Sequence, residues 1–593
     1  MAKNGYEYPL QLSRDGKNLG VYFFDEAGRK TEFIEVSPAI RIDNIKRYID
    51  SNLSILCLSY NDGLTDVKFD VELSNLTSKD IIKILLKNSF LISDCYADSI
   101  CAYILNLYLK FPKDKIQYFH TKLGFHHEKQ YGTGTFFVDK AYNCSLNSTL
   151  VNNDQNLIGS IGDIEVYRKM IEKEVIPHIN LQLVFVLGFV APIIPLLSSK
   201  TSVDAIISNF SGISSSGKTT SLSLMASVWG SGVVSNRGMI KTFFSTNNCL
   251  MSYLNDRVGF PIMFDDYETG NETAWGLTGL LYQIAEGESK GRCDETGKPK
   301  NTTSWKTFVA LSGESSIFER TVKKQGLLPR VLEFNDFAWT ASKQNAENIS
   351  STCRTNYGFF GPLFVQELFQ KVPQIVLEQR YDKALEKVEE SIVFNNGVQA
   401  RIGNKLAYIY LTAQLVKELL GFDIDSEKIL ELLVENETTS RQEHDPKNEM
   451  LNAIREYITS NASSFQTGKS KEVTKNYVGK IEFNKKIGKI SISIMKETLN
   501  EFLVKKGFND RLKLLKQLAD MGYLKRYDDR LVGKPTIGFL RQEAYTFLFP
   551  FEEMGNIYVD YSPKKRVIVG NMPVCQDQYD DQEAIDEVFD EEN

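Results

Sequence analysis

A short β-prone run, DAIISNF (Asp204–Phe210), leads into GISSSGKTTS (Gly212–Ser221) and then into SLSLMASVW (Ser221–Trp229), which reads as a helix. No other stretch limits the fold as tightly. The loop satisfies GxxxxGKS/T, and the order strand, glycine loop, helix gives that pattern a physical purpose. Glycines let backbone N–H groups converge at a helix N-terminus, where unpaired amides favour phosphate oxygens. The lysine, Lys218, is placed to reach the β and γ phosphates, and the Thr219 hydroxyl to meet Mg²⁺. Gly212, Ser214, Ser215, Ser216, Gly217, Lys218, Thr219 and Thr220 are the candidate nucleotide-binding set, with ATP and Mg²⁺ as the expected cofactors. An ordinary Gly/Ser turn is the alternative.

Nucleotide hydrolysis also needs a carboxylate near the metal and a group that prepares water. GFPIMFDDYE (Gly259–Glu268) is an apolar run ending in acids, the form of a buried strand that delivers Asp265 and Asp266 to its C-terminal edge. Asp265 is expected to hold Mg²⁺ and Asp266 to orient or deprotonate the water; a solvated strand end is the alternative. Between Lys218 and Asp265 there is room for a helix, a strand at GVVSN (Gly232–Asn236) and a helix at Ser245–Asn255. An inserted strand of this kind is the arrangement of additional-strand NTPases. SWKTFVALSGE (Ser304–Glu314) is a further β-prone run, and its Ser312 is expected to touch the γ-phosphate or the water. In LLPRVLEF (Leu327–Phe334), Arg330 is the candidate for crossing into a neighbour's site in a head-to-tail assembly, with Arg320 in reserve. A rim arginine is the other reading.

Taken together, SSSGKTTSLSLMASVWG, IMFDDYE, AEGESKGR, WKTFVALSGE and LLPRV resemble the AAA+ helicase-like ATPases of phages and integrative elements. They are most similar to the MCM-like replication helicases of bacterial chromosome-cassette elements. The resemblance implies a homo-hexameric ring around DNA, an arginine finger supplied in trans, and 3′ to 5′ movement. LLPRV is similar to the arginine-finger segment of MCM proteins. One departure stands out: such enzymes usually carry glutamate where this chain has Asp266, so a neighbour such as Glu268 is a second candidate for the water.

Gly287–Trp305 reads as a hairpin, with arms SKGRC and TTSWKTF around a turn-rich DETGKPKN. Its Lys290, Arg292, Lys298 and Lys300 are either solvated or, as the resemblance implies, project into a channel and follow a phosphate backbone. Gly397–Gly421 has helical spacing and a glycine stop, as the last helix of a lid; Arg401 near its start is a candidate second sensor. Near the C-terminus, helices are expected at Asn448–Ser464, Ile492–Gly507 and Asn509–Leu524, the last with Asn509 as N-cap, followed by two strands and a basic turn. Helices followed by a β-hairpin make a winged helix, which places Arg511, Lys513, Lys525 and Arg526 against DNA or, alternatively, against protein.

The expected fold is multidomain α/β. An α+β collar or DNA-handling domain spans residues 1–160, and an AAA+ P-loop core with helical lid spans 161–440. A winged helix occupies 441–550, and an extension with an acidic tail occupies 551–593. Asp577–Asn593 holds nine acidic and no basic residues, which turns a remainder of +2 into the formal charge of −7. The tail reads as a solvated end or as a competitor with DNA for a basic surface. Eight scattered cysteines without a CxxC pair, and an N-terminus with no apolar h-region, point to the cytoplasm. Leu181–Leu197 is apolar but carries Gln182 and breaks at Gly188, Pro192 and Pro195, so a core helix ending at the prolines is expected rather than a membrane span. His126 and His127 read as turn or strand positions rather than a metal site. The composite expectation is a helicase or translocase replicating a mobile element, with a primase, polymerase or initiator as partner. An origin-binding initiator and a nucleotide-gated switch are the alternatives.

Overall fold

Five strands form a wholly parallel sheet: β1 (Ala205–Ser211), β2 (Ile240–Thr242), β3 (Ile262–Asp265), β4 (Thr307–Ser312) and β5 (Val331–Asn335). Their spatial order is β2-β3-β4-β1-β5. Every residue of β1 and β4 is buried, which is why these strands read as continuous β-prone runs rather than as alternating ones. This computed structural model describes residues 10–24, 27, 29–51, 53–125, 135–144, 146–151, 157–235, 238–270, 272–291, 293, 302–322, 326–392, 397–467, 477–484, 489–508 and 510–550.

The strand expected at Gly232–Asn236 does not form among its described residues, Gly232–Ser235, which hold only an isolated bridge from Val234 to Ile240, and the next strand is β2. Gly232 instead packs on α1 (Lys218–Ser227), where its carbonyl accepts the Ser223 hydroxyl at 2.6 Å. The strand that stands in space between β1, which leads into Gly212–Gly217, and β3, which ends on Asp265, is β4, which follows both in sequence.

Leu181–Leu197 is buried throughout, and no helix among the described residues is long and apolar enough to cross a membrane. It forms two helices, Ile179–Leu187 and Ile193–Thr201, rather than one. The break has a local cause. Pro192 has no N–H to give the Gly188 carbonyl four residues earlier, and the Trp229 indole donates to that carbonyl instead, at 2.7 Å. A Cβ on Gly188 would stand 3.0 Å from the Met225 carbonyl oxygen, so a larger residue there would press on α1.

Before the parallel sheet, Leu10–Ile104 holds its own apolar core. Strands Gln11–Leu12, Asn18–Phe24 and Lys30–Pro38 form one antiparallel sheet. Ile40–Tyr48, Ser54–Asn61 and Asp66–Glu72 join Gln117–His120 and Ser148–Leu150 in a second, mixed sheet. Helices Ile81–Lys87 and Ala97–Lys110 complete this α+β region. Phe125, Phe136 and Val138 pack in the core of the parallel sheet. After β5 come helices Lys343–Thr355, Phe360–Lys371, Gln374–Ser391 and α2 (Gly397–Leu420). His126, His127 and the acidic tail lie outside the described residues.

The chain divides into two compact units, Met1–Glu272 with Gly279–Ser316 and Pro329–Asn436, and Thr273–Thr278 with Ile317–Leu328 and Glu437–Asn593. In the second, helices Pro446–Ser460, Lys496–Lys505 and Arg511–Asp520 share a core with a five-stranded sheet. Its strands are Phe465–Thr467, Gly479–Asn484, Lys489–Met495, Ala544–Pro550 and Val532–Gly533. Ile492–Met495 was expected to open a helix and instead ends a strand. The alternation of Ile490, Ile492 and Ile494 fits a pleat, and these residues pair with Phe549, Phe547 and Tyr545. A two-stranded ribbon, Thr536–Ile537 with Leu540–Arg541, stands between the last strands. Asn509 lies outside the described residues, and Asp510 precedes the helix it was expected to cap.

Candidate active site

Register sets the geometry. Phe210 pairs with Ser312 and Phe264 with Leu311, so β1, β3 and β4 end at one edge of the sheet. From that edge the loop Gly212–Gly217 runs into α1, with positive φ at Gly212 (131°), Ser215 (70°) and Gly217 (94°). Such dihedrals turn successive amides inward. A Cβ at Gly217 would meet Thr340 at 2.9 Å, so glycine is required there on both counts. Lys218 Nζ donates to the carbonyls of Gly212 (2.7 Å) and Ile213 (2.9 Å), which folds the ammonium over the loop. The Ser216 hydroxyl is buried with no hydrogen-bond partner, and its carbonyl accepts the Trp339 amide at 3.1 Å. Thr219 is exposed in the first turn of α1.

The acids follow from β3. Ser312 Oγ donates to Asp265 Oδ1 at 2.6 Å and accepts the Asp266 amide at 3.1 Å. Ser312 thus clamps both acidic positions to the neighbouring strand, a role its sequence position did not announce. Asp266 sits at φ 55°, turning the chain sharply after Asp265. Glu268 accepts the Ser315 amide at 2.7 Å and the Ser315 hydroxyl, so its carboxylate is already committed to the loop after β4. Tyr267 donates to the Ser315 carbonyl.

These residues fit a nucleotide with a divalent cation. An unpartnered Ser216 hydroxyl, loop amides turned by positive φ and the Lys218 ammonium suit phosphate oxygens, while the Thr219 hydroxyl and Asp265 are hard oxygen donors. Among the described residues no three His, Cys, Asp or Glu side chains converge, so a cation here would depend on oxygens of the nucleotide itself.

Sequence reasoning passed over Glu333. This carboxylate, 2% exposed, accepts Asn209 Nδ2 at 2.9 Å, Ser211 Oγ at 3.2 Å and Ser316 Oγ at 2.7 Å, tying together β1, β5 and the loop after β4. A lone acid inside the apolar run VLEF was the available signal. Asp336, at φ 56°, donates its amide to the Ser211 carbonyl at 3.1 Å and closes the same corner.

The remaining candidates are spread out. Arg330 is one-fifth exposed; its guanidinium lies 4.2 Å from the Tyr282 ring centroid and 3.8 Å from Glu286 Oε1. Arg401 is exposed in the first turns of α2, and Arg320 is exposed at the end of helix Ile317–Arg320. The hairpin stem forms: Ser289 donates to Thr303 at 2.8 Å and Trp305 to Gly287 at 2.8 Å. Lys290 is exposed on it, whereas Arg292, Lys298 and Lys300 lie outside the described residues. In the second unit Arg511 donates to Asn500 (3.1 Å) and Arg526 pairs with Asp520, while Lys513 and Lys525 are exposed.

Two family models match the chain: a domain of unknown function, DUF927, over residues 12–304, and the Cch helix turn helix domain over residues 445–552. Among solved structures, the active helicase Cch of SCCmec type IV superposes with a TM-score of 0.68 at 22% identity, covering 93% of this chain and 99% of that one. The two share a fold. The C-terminal region of NrS-1 gives a TM-score of 0.21 at 9% identity, covering 66% of this chain and 90% of that one. An inhibitor-bound JCV helicase gives 0.18 at 14% identity, covering 44% and 72%. Superpositions at that level support no argument. No curated protein matches the chain.

Proposed function

We propose that the chain is an ATP-driven DNA helicase or translocase that works as a hexameric AAA+ ring in the replication of a mobile element. The observation that supports this best is the edge where the Lys218 loop, Ser312, Asp265 and Asp266 meet, with β4 standing between the phosphate and acid strands. The fold shared with Cch of SCCmec adds support along nearly the whole chain. In this reading residues 1–160 form a collar, 161–440 the ATPase with its lid, and 441–550 a winged helix. The cation supplies charge neutralisation at the β and γ phosphates when bound.

The chain's own residues do the rest. Loop amides and Lys218 bind and orient the phosphates; Thr219 and Asp265 offer the cation its protein oxygens. Asp266, whose carboxylate forms no hydrogen bond among the described residues, takes the proton of the attacking water. Arg330 enters the neighbouring subunit's site and meets charge that develops during cleavage. Lys290, Arg292, Lys298 and Lys300 of the hairpin follow one DNA strand in the channel.

The test is ATPase activity with and without single-stranded DNA, run beside strand displacement of a tailed duplex. DNA stimulation with displacement is expected, and Lys218→Ala is expected to lower turnover on the order of 10²-fold or more. Hydrolysis indifferent to DNA would defeat the motor reading. The match of residues 445–552 to a helix-turn-helix family favours one second reading, an origin-binding initiator, whose mark is site-specific footprinting without displacement.

A further inference from the structure

We propose that Lys405 is a positioning residue for Arg330, so that each subunit's own α2 sets the arginine it lends to its neighbour. The inference rests on the reading of Arg330 as a group supplied in trans. Lys405 lies in α2, is 5% exposed, and places Nζ 2.6 Å from the main-chain oxygen of Arg330. Lysine is seldom buried this deeply, because an ammonium leaves water at a cost that only good partners offset. The partner it takes here is informative. Arg330 closes a single 3-10 turn, Leu328–Arg330, directly before β5, so its main-chain oxygen sits where the turn hands over to the sheet.

The two ends of Arg330 are therefore held differently. Its backbone is anchored by a part-buried charge-assisted bond from Lys405. Its guanidinium rests on the Tyr282 ring and beside Glu286, a carboxylate 63% exposed, on the helix Ala274–Glu286. A phosphate offers a guanidinium two parallel charge-assisted bonds, for which these contacts would be exchanged in the neighbouring site. Lys405 fixes where the side chain starts. Arg401 stands one helical turn earlier on α2, exposed at the position assigned to nucleotide sensing. One rigid turn of helix thus joins a residue that answers to the subunit's own nucleotide with the anchor of the residue that serves the next site. A shift of α2 moves the Arg330 backbone with it.

Mixed assemblies separate this role from a merely structural one. Arg330→Ala protein keeps its own site but offers no finger; Lys218→Ala protein offers a finger but has a dead site. Mixing the two should restore ATP hydrolysis at hybrid boundaries, and this rate is the control. Placing Lys405→Met in the Lys218→Ala chain, the finger donor, is expected to lower the restored rate on the order of tenfold or more, as misplacement of a reacting group does. Placing Lys405→Met in the Arg330→Ala chain, the acceptor, is expected to keep most of that rate, which also shows that the substituted chain folds and assembles. Equal rates with the altered and unaltered donor overturn the proposal. Equal losses in both arms also overturn it, since Lys405 then serves the fold or its own site. No restored activity in the control at any ratio defeats the trans reading of Arg330, and the inference falls with it.

Discussion

Ser312 Oγ donates to Asp265 at 2.6 Å and receives the Asp266 amide at 3.1 Å, so Ser312→Ala removes one bond to a charged group and one that shapes the chain after it. A hydrogen bond to a charged group contributes about 1.5–3 kcal/mol, which corresponds to a loss of roughly ten- to a hundredfold in turnover if the acid drifts. Nucleotide affinity should change little, because the loop amides and Lys218 are untouched. Steady-state hydrolysis together with equilibrium binding of a fluorescent nucleotide checks this; full turnover in the variant would show that the clamp is dispensable. The same residue illustrates what a sequence shows at this scale. Its strand and its position at the sheet edge are legible from the run before it, whereas its partner across the ladder depends on β4 entering between β1 and β3.

At the scale of elements, the strand Gln117–His120 ends on a buried histidine held at both ring nitrogens, by the Val138 carbonyl at 2.9 Å and the Ser148 hydroxyl at 2.9 Å. A carbonyl only accepts, so Nε2 carries the proton and Nδ1 accepts from Ser148. Burial, the largest influence, holds the His120 pKa below its ordinary 6.5. The unfolded chain therefore takes up a proton near that pH which the folded chain refuses. Stability is intact above about pH 6.5 and falls on acidification below it. Urea midpoints between neutral and mildly acidic pH should show the fall, and His120→Gln should flatten it. In the second unit, Lys513→Ala or Lys525→Ala should weaken DNA binding across sequences and lower the salt slope by about 1 each, by anisotropy titration. Arg511→Ala and Arg526→Ala should matter less, since Asn500 and Asp520 already engage those side chains. Much of this layer was readable: loop, acid strand and helices carry local signals of period and punctuation. What escaped was set by distant partners. Gly188 yields its carbonyl to Trp229, the Gly232 stretch packs on α1, and Ile492–Met495 finds Ala544–Pro550 across fifty residues of chain.

For the whole molecule, charge is distributed unevenly: the seventeen positions from Asp577 carry nine acids, and without them the formal charge changes from −7 to +2. Removing Asp577–Asn593 should raise DNA affinity, most strongly at low ionic strength where charges act over longer distances. Identical affinity with and without the segment would make it a solvated end only. The apolar residues also fall into separate cores, one within Leu10–Ile104, one around the parallel sheet and one in the second unit. Cores of that kind give each part its own stability. One detail of the central core offers a practical return. The Trp339 amide bonds Ser216 of the loop Gly212–Gly217, and its ring stacks on Phe337 at 5.0 Å. A rearrangement of the loop that breaks this bond is expected to alter the emission of Trp339, one of four tryptophans, so the protein carries its own optical gauge.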